Sequence, residues 1–229
     1  MWKSVKLAKR VAVLVDGAFF IKRYQALYSD WENKGPRGIV RSLRAGILAD
    51  LRKINGSTGF EIYRIFYYDC PPLNKRLQNP ITRKRLRVTT ADKTRFSLAL
   101  FAELRKTRKV ALRLGALSND GAWIIKPEVV QNLIDGKVAT QDLNGDSVRY
   151  DLPQKSVSMM IGLDTAWLAF KEQVEQILLI SGDSDFVPAA KLARREGINF
   201  ILDPMGNPIK PDLEEHVDGL QSCWDKLGS

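Results

Sequence analysis

Histidine and cysteine are almost missing from this sequence. Its 229 residues include one histidine, His216, and two cysteines, Cys70 and Cys223. A single histidine argues against histidine-ligated zinc and against Ser-His or Cys-His nucleophile systems. Two cysteines so far apart give no support to a disulfide framework or a cysteine-based zinc site. Several enzyme classes are thereby excluded, and we expect a reducing, cytoplasmic setting.

Long hydrophobic runs are missing as well. The basic start MWKSVKLAKR is followed only by VAVLV before Asp16 interrupts. That run is too short for the apolar core of a signal peptide or for a membrane span. We therefore expect a soluble protein with no membrane partner, and the sequence gives no prediction of its oligomeric state.

Positive charge, by contrast, is in excess. Thirty-six Lys and Arg residues against 26 Asp and Glu residues leave a net charge of +10 and a pI of about 9.6. This balance is typical of proteins that bind nucleic acids or other polyanions. Net charge describes association only, so a basic protein without a specific partner remains an alternative.

Short apolar runs separated by helix-like segments indicate the fold. Runs of this kind bounded by turn signals are typical of buried parallel strands. Candidate strands are VAVLV (11–15), IYRIFYY (62–68), VSMMIG (157–162), ILLI (177–180) and INFIL (198–202), and candidate helices cover 41–54, 163–174 and 187–197. The alternation predicts an α/β fold with a mostly parallel central sheet and helices on both faces. Turn signals within 118–150 predict hairpins or loops that elaborate the sheet edge.

Acidic residues follow several of these strands. Asp16 ends the first strand, Asp183 and Asp185 follow ILLI, and Asp164 is expected near the start of the helix after VSMMIG. In open parallel sheets the carboxyl ends of the strands share one edge, so these acids are expected to converge there. Clustered carboxylates suit Mg²⁺ or Mn²⁺. For Asp16 and Asp164 the alternative is a helix cap, and a cap accounts for only one of Asp183 and Asp185.

The motifs VLVDGAFF, QKSVSMMIGLDTAWLA and LLISGDSDFVPAAKLARREG resemble those of the NYN domain family, in particular its bacterial LabA-like branch, within the PIN-like nucleases. The matching blocks span 11–24, 62–72 and 154–220. The resemblance implies a PIN-like three-layer α/β/α sandwich over residues 1–229, with a basic, less regular elaboration at about 73–150. It also implies a metal-dependent ribonuclease whose catalytic and metal-binding residues are Asp16, Asp164, Asp183 and Asp185.

Two positions depart from the family pattern. Family members often read DGxN where this chain has Phe19 in the last position, and KGVD where it has Ser158 in the last position. An amide and an acid that serve the site in relatives are therefore replaced. These departures favour an alternative function, an RNA-binding adaptor with the same fold and little or no nuclease activity.

Basic and hydroxyl side chains are the candidates for substrate binding. The basic segment around 75–95 is expected to neutralise RNA phosphates, with a solvated charged loop as the alternative. The candidate substrate-binding residues are Arg76, Arg83, Lys84, Arg85, Arg87, Lys155, Ser181 and Ser184. A Rossmann-like domain for a nucleotide or for phosphotransfer ranks last, because neither G-x-G-x-x-G nor a Walker A lysine follows any predicted strand.

Overall fold

Strands and helices alternate along this chain. The computed structural model describes residues 8–72, 76–87, 91–117, 121–151 and 154–224. The strands are β1 (Lys9–Asp16), β2 (Phe60–Asp69), β3 (Arg76–Gln78), β4 (Arg85–Arg87), β5 (Val110–Leu114), β6 (Ala116–Leu117), β7 (Ala122–Ile125), β8 (Val148–Asp151), β9 (Gln154–Lys155), β10 (Gln176–Ile180), β11 (Asn199–Asp203) and β12 (Gly219–Leu220). The helices are α1 (Gly17–Leu27), α2 (Trp31–Asn55), α3 (Ala91–Lys106), α4 (Pro127–Ile134), α5 (Val157–Phe170), α6 (Val187–Arg195) and α7 (Pro211–Glu215).

Six of the strands form one parallel sheet. Their order is β12-β11-β10-β1-β2-β5, and every pair of neighbours runs parallel. The neighbouring strands β1 and β10 are the most buried, and residues 11–15 and 176–180 have no exposed side chain. Strands covered on both faces need apolar residues at every position, which explains the continuous runs VAVLV and ILLI. The predicted α/β class with a mostly parallel sheet is confirmed.

Helices cover both faces of this sheet. Tyr67 and Tyr68 are consecutive on β2, so their side chains project to opposite faces. The Tyr67 ring packs against Phe20 of α1, with ring centroids 6.3 Å apart. The Tyr68 hydroxyl donates a hydrogen bond to Asp164 of α5. α1 and α5 therefore lie on opposite faces, which gives the three layers of an α/β/α sandwich.

The predicted strand VSMMIG is wrong. Residues 157–162 form the first half of α5, and Asp164 lies in the middle of that helix rather than near a helix start. α5 buries Ile161 and Leu168 on one side and exposes Leu163 and Trp167 on the other, so the helix is apolar on its exposed side too. A short run without polar interruptions does not distinguish a strand from a helix segment.

The longest helix, α2, is interrupted near its start. Gly35 has φ 56° and ψ 176°, outside helical geometry, and Pro36 begins the long continuous part of the helix. Proline suits the first position of a helix because its fixed φ is helical and its missing N–H has no partner to lose there. Among the described residues, no helix combines the length and the apolar character needed to cross a membrane.

The chain divides into two compact units. The first comprises 1–69, 99–115 and 156–229, with the six-stranded sheet, and the second comprises 70–98 and 116–155. In the second unit the strands form antiparallel pairs, β3 with β4, β6 with β9 and β7 with β8. In the stretch 118–150, predicted to form hairpins or loops, β7 and β8 pair antiparallel and helix α4 lies between them. That residues 1–229 form one NYN domain elaborated at about 73–150 stays a prediction.

Candidate functional site: an acidic cleft

Asp16 joins the end of β1 to the start of α1. Its Oδ1 accepts a hydrogen bond from the Phe19 backbone N–H at 3.1 Å, so it is the N-cap of the helix. Its Oδ2 accepts a hydrogen bond from the Ser181 hydroxyl at 3.4 Å. Glycine follows at position 17 because a Cβ there would lie 2.5 Å from a ring carbon of Tyr67. Asp16 therefore caps α1, and this role uses only one of its two carboxylate oxygens.

The turn after β10 brings a second acid to the same place. Asp183 Oδ1 accepts a hydrogen bond from the Asp185 backbone N–H at 3.1 Å, which caps the short turn that follows. The Asp183 backbone N–H donates to the Ser181 hydroxyl oxygen at 3.4 Å. Because β1 and β10 are parallel neighbours, their carboxyl ends meet. Ser181 thus connects the backbone of Asp183 with the side chain of Asp16.

Asp16 and Asp183 line one cleft of about 380 Å³. Its walls come from α1, from the turn after β10 and from the loop after β11. Besides the two acids, the lining includes Phe19, Lys22, Arg23, Ser181 and Asn207. The cleft therefore combines two carboxylates with two cationic side chains, an aromatic ring and an amide.

Arg23 fixes the loop that carries Asn207. Its guanidinium donates two hydrogen bonds from Nε and Nη2 to the Met205 carbonyl, at 3.2 and 2.9 Å. Met205 has φ 48°, a left-handed backbone conformation that residues other than Gly, Asn and Asp rarely adopt. Its backbone N–H donates to Asp203 Oδ1 at 2.8 Å. These bonds hold the loop after β11 against α1.

The charge of Asp183 acts on the Asp16 carboxyl. Burial raises the pKa of the Asp16 carboxyl, and the nearby charge of Asp183 raises it further. Hydrogen bonds from the Phe19 N–H and the Ser181 hydroxyl act in the opposite direction. A cation between these carboxylates would relieve their repulsion.

The donor set of the cleft fits Mg²⁺ or Mn²⁺. Mg²⁺ is usually held by one or two carboxylates and completes its shell with water and substrate phosphates. Asp16 and Asp183 could provide two such ligands. Across the described ranges, no group of three or more His, Cys, Asp or Glu side chains is arranged to hold a metal ion. Protein ligands for an ion in this cleft are therefore two carboxylates, with neutral oxygens from Ser181 and Asn207 nearby.

Asp164 is held outside this cleft. Its Oδ2 accepts a hydrogen bond from the Tyr68 hydroxyl at 2.7 Å and forms an ion pair with Arg113 Nε at 3.4 Å. Burial raises the pKa of the Tyr68 phenol, and the charge of Asp164 adds to that effect. Tyr68 is the in-register neighbour of Asp16 on β2. Asp164 is thus bound one strand away from Asp16 and already has a cationic partner.

Ser184 and Asp185 belong to the same turn as Asp183. Asp185 is exposed and does not line the cleft described above. The Ser184 hydroxyl accepts a hydrogen bond from Lys210 Nζ at 3.3 Å. Lys210 therefore adds a positive charge next to the turn that carries both acids.

The basic hairpin, β3 and β4 with their turn, lies in the second unit. The buried Asn79 shapes it, because its Oδ1 accepts hydrogen bonds from the Ile81 and Thr82 N–H groups at 2.9 and 3.1 Å. The exposed side chains are those of Arg76, Arg83, Lys84 and Arg85. Within the described part of the chain, none of these four forms an ion pair. They are thus available to a polyanion.

The side chains of Arg87 and Lys155 fall outside the described part of the structure. Their backbones belong to β4 and β9. Their predicted contacts with substrate stay predictions.

Sequence reasoning missed Lys22, Arg23 and Asn207. One face of the helix that begins after Asp16 lines the cleft. It carries Phe19, Lys22, Arg23 and Ala26, which are spaced three or four residues apart. That spacing was readable from the sequence. Asn207 follows β11 at the carboxyl edge of the sheet, where an uncharged amide gives no signal in the sequence.

Comparisons with known proteins point to one family. The model of the NYN domain matches residues 135–215. The match confirms the resemblance at the family level, and NYN belongs to the PIN-like nuclease superfamily. It includes Asp164, Asp183 and Asp185 and excludes Asp16. The LabA-like branch stays a prediction.

Two further comparisons add no functional information. A search of curated proteins found no match. A solved structure of a protein of unknown function from Vibrio parahaemolyticus is 13% identical, with a TM-score of 0.43, and the match covers 96% of this chain and 94% of the other. At that TM-score, the likeness supports no argument.

Proposed function

Starting from the NYN domain that residues 135–215 match, we propose that this chain is a Mg²⁺- or Mn²⁺-dependent ribonuclease that hydrolyses RNA phosphodiester bonds at the acidic cleft. The observation that carries the proposal is the meeting of Asp16 and Asp183, from two neighbouring parallel strands, in one cleft with Lys22 and Arg23. Carboxylates alone would repel RNA, whereas carboxylates beside cations suit a metal and a phosphate together.

In this proposal the protein side chains have distinct roles. Asp16 and Asp183 would hold the ion, and Ser181 orients the free oxygen of Asp16 through its hydroxyl. When bound, the ion supplies positive charge that stabilises the phosphate and lowers the pKa of an attacking water. Asp185 remains a candidate ligand from the same turn. Asp164 stays a candidate only through the family resemblance, because it is paired with Arg113 outside the cleft.

Substrate contacts come from two places. Lys22 and Arg23 would neutralise the phosphate in the cleft, with Ser184 and Lys155 as further candidate contacts. Arg76, Arg83, Lys84, Arg85 and Arg87 would bind other phosphates of the RNA. The net charge of +10 supports a polyanionic partner. The low cysteine content supports a cytoplasmic location, and the sequence motifs support the LabA-like branch.

The direct test is cleavage of labelled RNA by the full chain, with single- and double-stranded DNA as comparison substrates, in Mg²⁺, in Mn²⁺ and in EDTA. We expect cleavage of RNA that EDTA abolishes and that Asp183→Asn lowers at least about 100-fold, the size of effect typical for a lost charge-stabilising group. Glu196→Gln, at an exposed acid beyond α6, is the matched control and should cleave like the unmodified protein. Cleavage that persists in both EDTA and Asp183→Asn would refute the metal-carboxylate mechanism.

One observation favours the alternative function, an RNA-binding adaptor. In the part of the chain that the structure describes, only two carboxylates meet in the cleft, and an aromatic ring at position 19 takes part of the space. Binding of RNA without cleavage under all metal conditions would select the adaptor.

A further inference from the structure

Phe19 is a partly exposed aromatic side chain in the wall of the acidic cleft. The next residue, Phe20, is fully buried and packs against Tyr24, Tyr67 and Trp224. Among the described residues, Phe19 packs against no other aromatic ring. Phe20 therefore contributes to the hydrophobic core, whereas packing in the core does not explain why residue 19 is aromatic.

The ring of Phe19 rests on Gly182 along one edge. A Cβ at Gly182 would lie 2.8 Å from Phe19 Cε2 and 3.3 Å from Cζ, so only glycine leaves room for the ring. Gly182 lies between Ser181 and Asp183 in the turn that carries the acid. The ring is thus fixed next to the position where we propose that the phosphate is hydrolysed.

Cationic and amide groups surround this ring. Lys22 and Arg23 follow Phe19 on the same face of α1, and Asn207 lies across the cleft from the helix. The cleft volume of about 380 Å³ is within the range of small-ligand sites, about 300–1,000 Å³. An aromatic surface beside fixed positive charges is the usual arrangement for binding an unpaired base together with its phosphate.

We propose that Phe19 is a stacking platform for one unpaired base beside the hydrolysed phosphate, so that the substrate is single-stranded at the cleavage position. This inference rests on the proposed function for the identity of the phosphate. In a duplex both faces of each base are covered by its neighbours, and exposing one requires unpairing. Phe19 therefore determines specificity, whereas Lys22 and Arg23 bind any strand.

The test measures binding and needs no cleavage. Fluorescence anisotropy in EDTA compares the affinity of the full chain for a fluorescein-labelled unpaired RNA of ten nucleotides and for an RNA hairpin of the same composition. The paired strands of the hairpin are joined by a non-nucleotide linker, so it has no unpaired loop bases. Phe19→Leu keeps an apolar cover on Gly182 and removes the aromatic face. It should weaken single-strand binding by about 5- to 100-fold and leave hairpin binding unchanged. Phe19→Tyr keeps the ring and should bind within about twofold of the unmodified protein.

Phe170→Leu is the matched control, because Phe170 is an exposed aromatic on α5 away from the cleft lining. It should leave both affinities unchanged. Equal weakening of single-strand and hairpin binding by Phe19→Leu, or no weakening at all, would overturn the inference.

A second measurement applies even if Phe19→Leu fails to fold. One abasic nucleotide is moved along the unpaired RNA, and affinity for the unmodified protein is measured at each position. Stacking on a single platform predicts a marked loss at one position, and an even, small effect along the strand would refute it. Cleavage assays separate this proposal from the proposed function. If binding depends on Phe19 but no RNA is cleaved, only the nuclease function is refuted. If Phe19→Leu cleaves RNA with the same strand preference as the unmodified protein, only the stacking role of Phe19 is refuted.

Discussion

Asp50 of α2 and Asp203 at the end of β11 are both fully buried. The Trp224 indole N–H donates to Asp203 Oδ2, and the Met205 N–H donates to Oδ1. Burial, followed by the charge of Asp203, raises the pKa of the Asp50 carboxyl to about 8. Burial raises the pKa of the Asp203 carboxyl as well, but the hydrogen bonds from Trp224 and Met205 lower it. We therefore infer that Asp50 is the protonated member of the pair at neutral pH.

The Asp50 carboxyl makes stability depend on pH. Its folded pKa of about 8 exceeds the ordinary value of 3.8, so between these values the folded state binds a proton that the unfolded state releases. The unfolding free energy should therefore fall as pH rises from about 4 to about 8, by up to about 1.4 kcal/mol per pH unit from this group. Asp50→Asn removes the titration, and urea unfolding at pH 5 and pH 8 should show a flatter profile. A profile identical to that of the unmodified protein would contradict this assignment.

Only some of the residues that line the acidic cleft could be predicted from the sequence. Parallel topology brings Asp16 and Asp183 to one edge, and strand-end acids are visible in the sequence. The burial of Asp203 depends on Trp224, a residue 21 positions further along the chain that no local pattern connects to it. Sequence therefore identifies acids at strand ends without showing which of them open into a cleft.

At the level of elements, α5 is where the sequence pattern misled. Central strands and helices with few polar residues both give uninterrupted apolar runs, and Gly162 within the run weakened the helical signal. The other central elements were predictable because strands β1, β10 and β11 are short, apolar and separated by helices of recognisable period.

The two sides of α5 should differ in their contribution to stability. Ile161 is fully buried and Leu163 is 63% exposed. Ile161→Ala should lower the unfolding free energy by about 2–5 kcal/mol, and Leu163→Ala by less than about 1 kcal/mol. Equal losses in denaturant unfolding would show that α5 packs differently.

Two helical glycines provide a matched pair. A Cβ at Gly46 in α2 would lie 2.4–2.7 Å from ring atoms of Trp224, whereas a Cβ at Gly162 in α5 meets nothing within 4 Å. Gly46→Ala should cost about 1–3 kcal/mol through overpacking. Gly162→Ala should gain about 0.5–1 kcal/mol from helix propensity. Thermal unfolding of both variants checks the prediction, and a stabilising Gly46→Ala would contradict the packing of Trp224 on α2.

For the whole molecule, the excess of positive charge is the property that is easiest to predict, because net charge follows from composition and does not depend on the fold. Its distribution does need the fold: the exposed cations of the basic hairpin lie in one unit and the acidic cleft in the other. The sequence indicated both features, yet the division into two compact units depends on contacts that sequence patterns do not reveal.

The salt dependence of RNA binding tests the basic hairpin. Each phosphate contact on a single strand contributes about 0.7 to the slope of log affinity against log salt concentration. Changing Arg83, Lys84 and Arg85 together to Gln should reduce the slope by about 2 and weaken binding at low salt. The same change at three exposed cations elsewhere, Lys171, Lys191 and Arg195, serves as control. An unchanged slope in the hairpin variant would remove the hairpin from the RNA-binding surface.

The central claim is that Asp16 and Asp183 together bind one divalent ion. Titration of Mn²⁺ followed by electron paramagnetic resonance counts bound ions directly and needs no substrate. We predict one Mn²⁺ site in the unmodified protein and unchanged Mn²⁺ binding in Glu196→Gln. Asp16→Asn and Asp183→Asn should each bind Mn²⁺ at least about tenfold more weakly, because each loses one of two charged ligands. Equal Mn²⁺ binding by all four proteins would contradict the account.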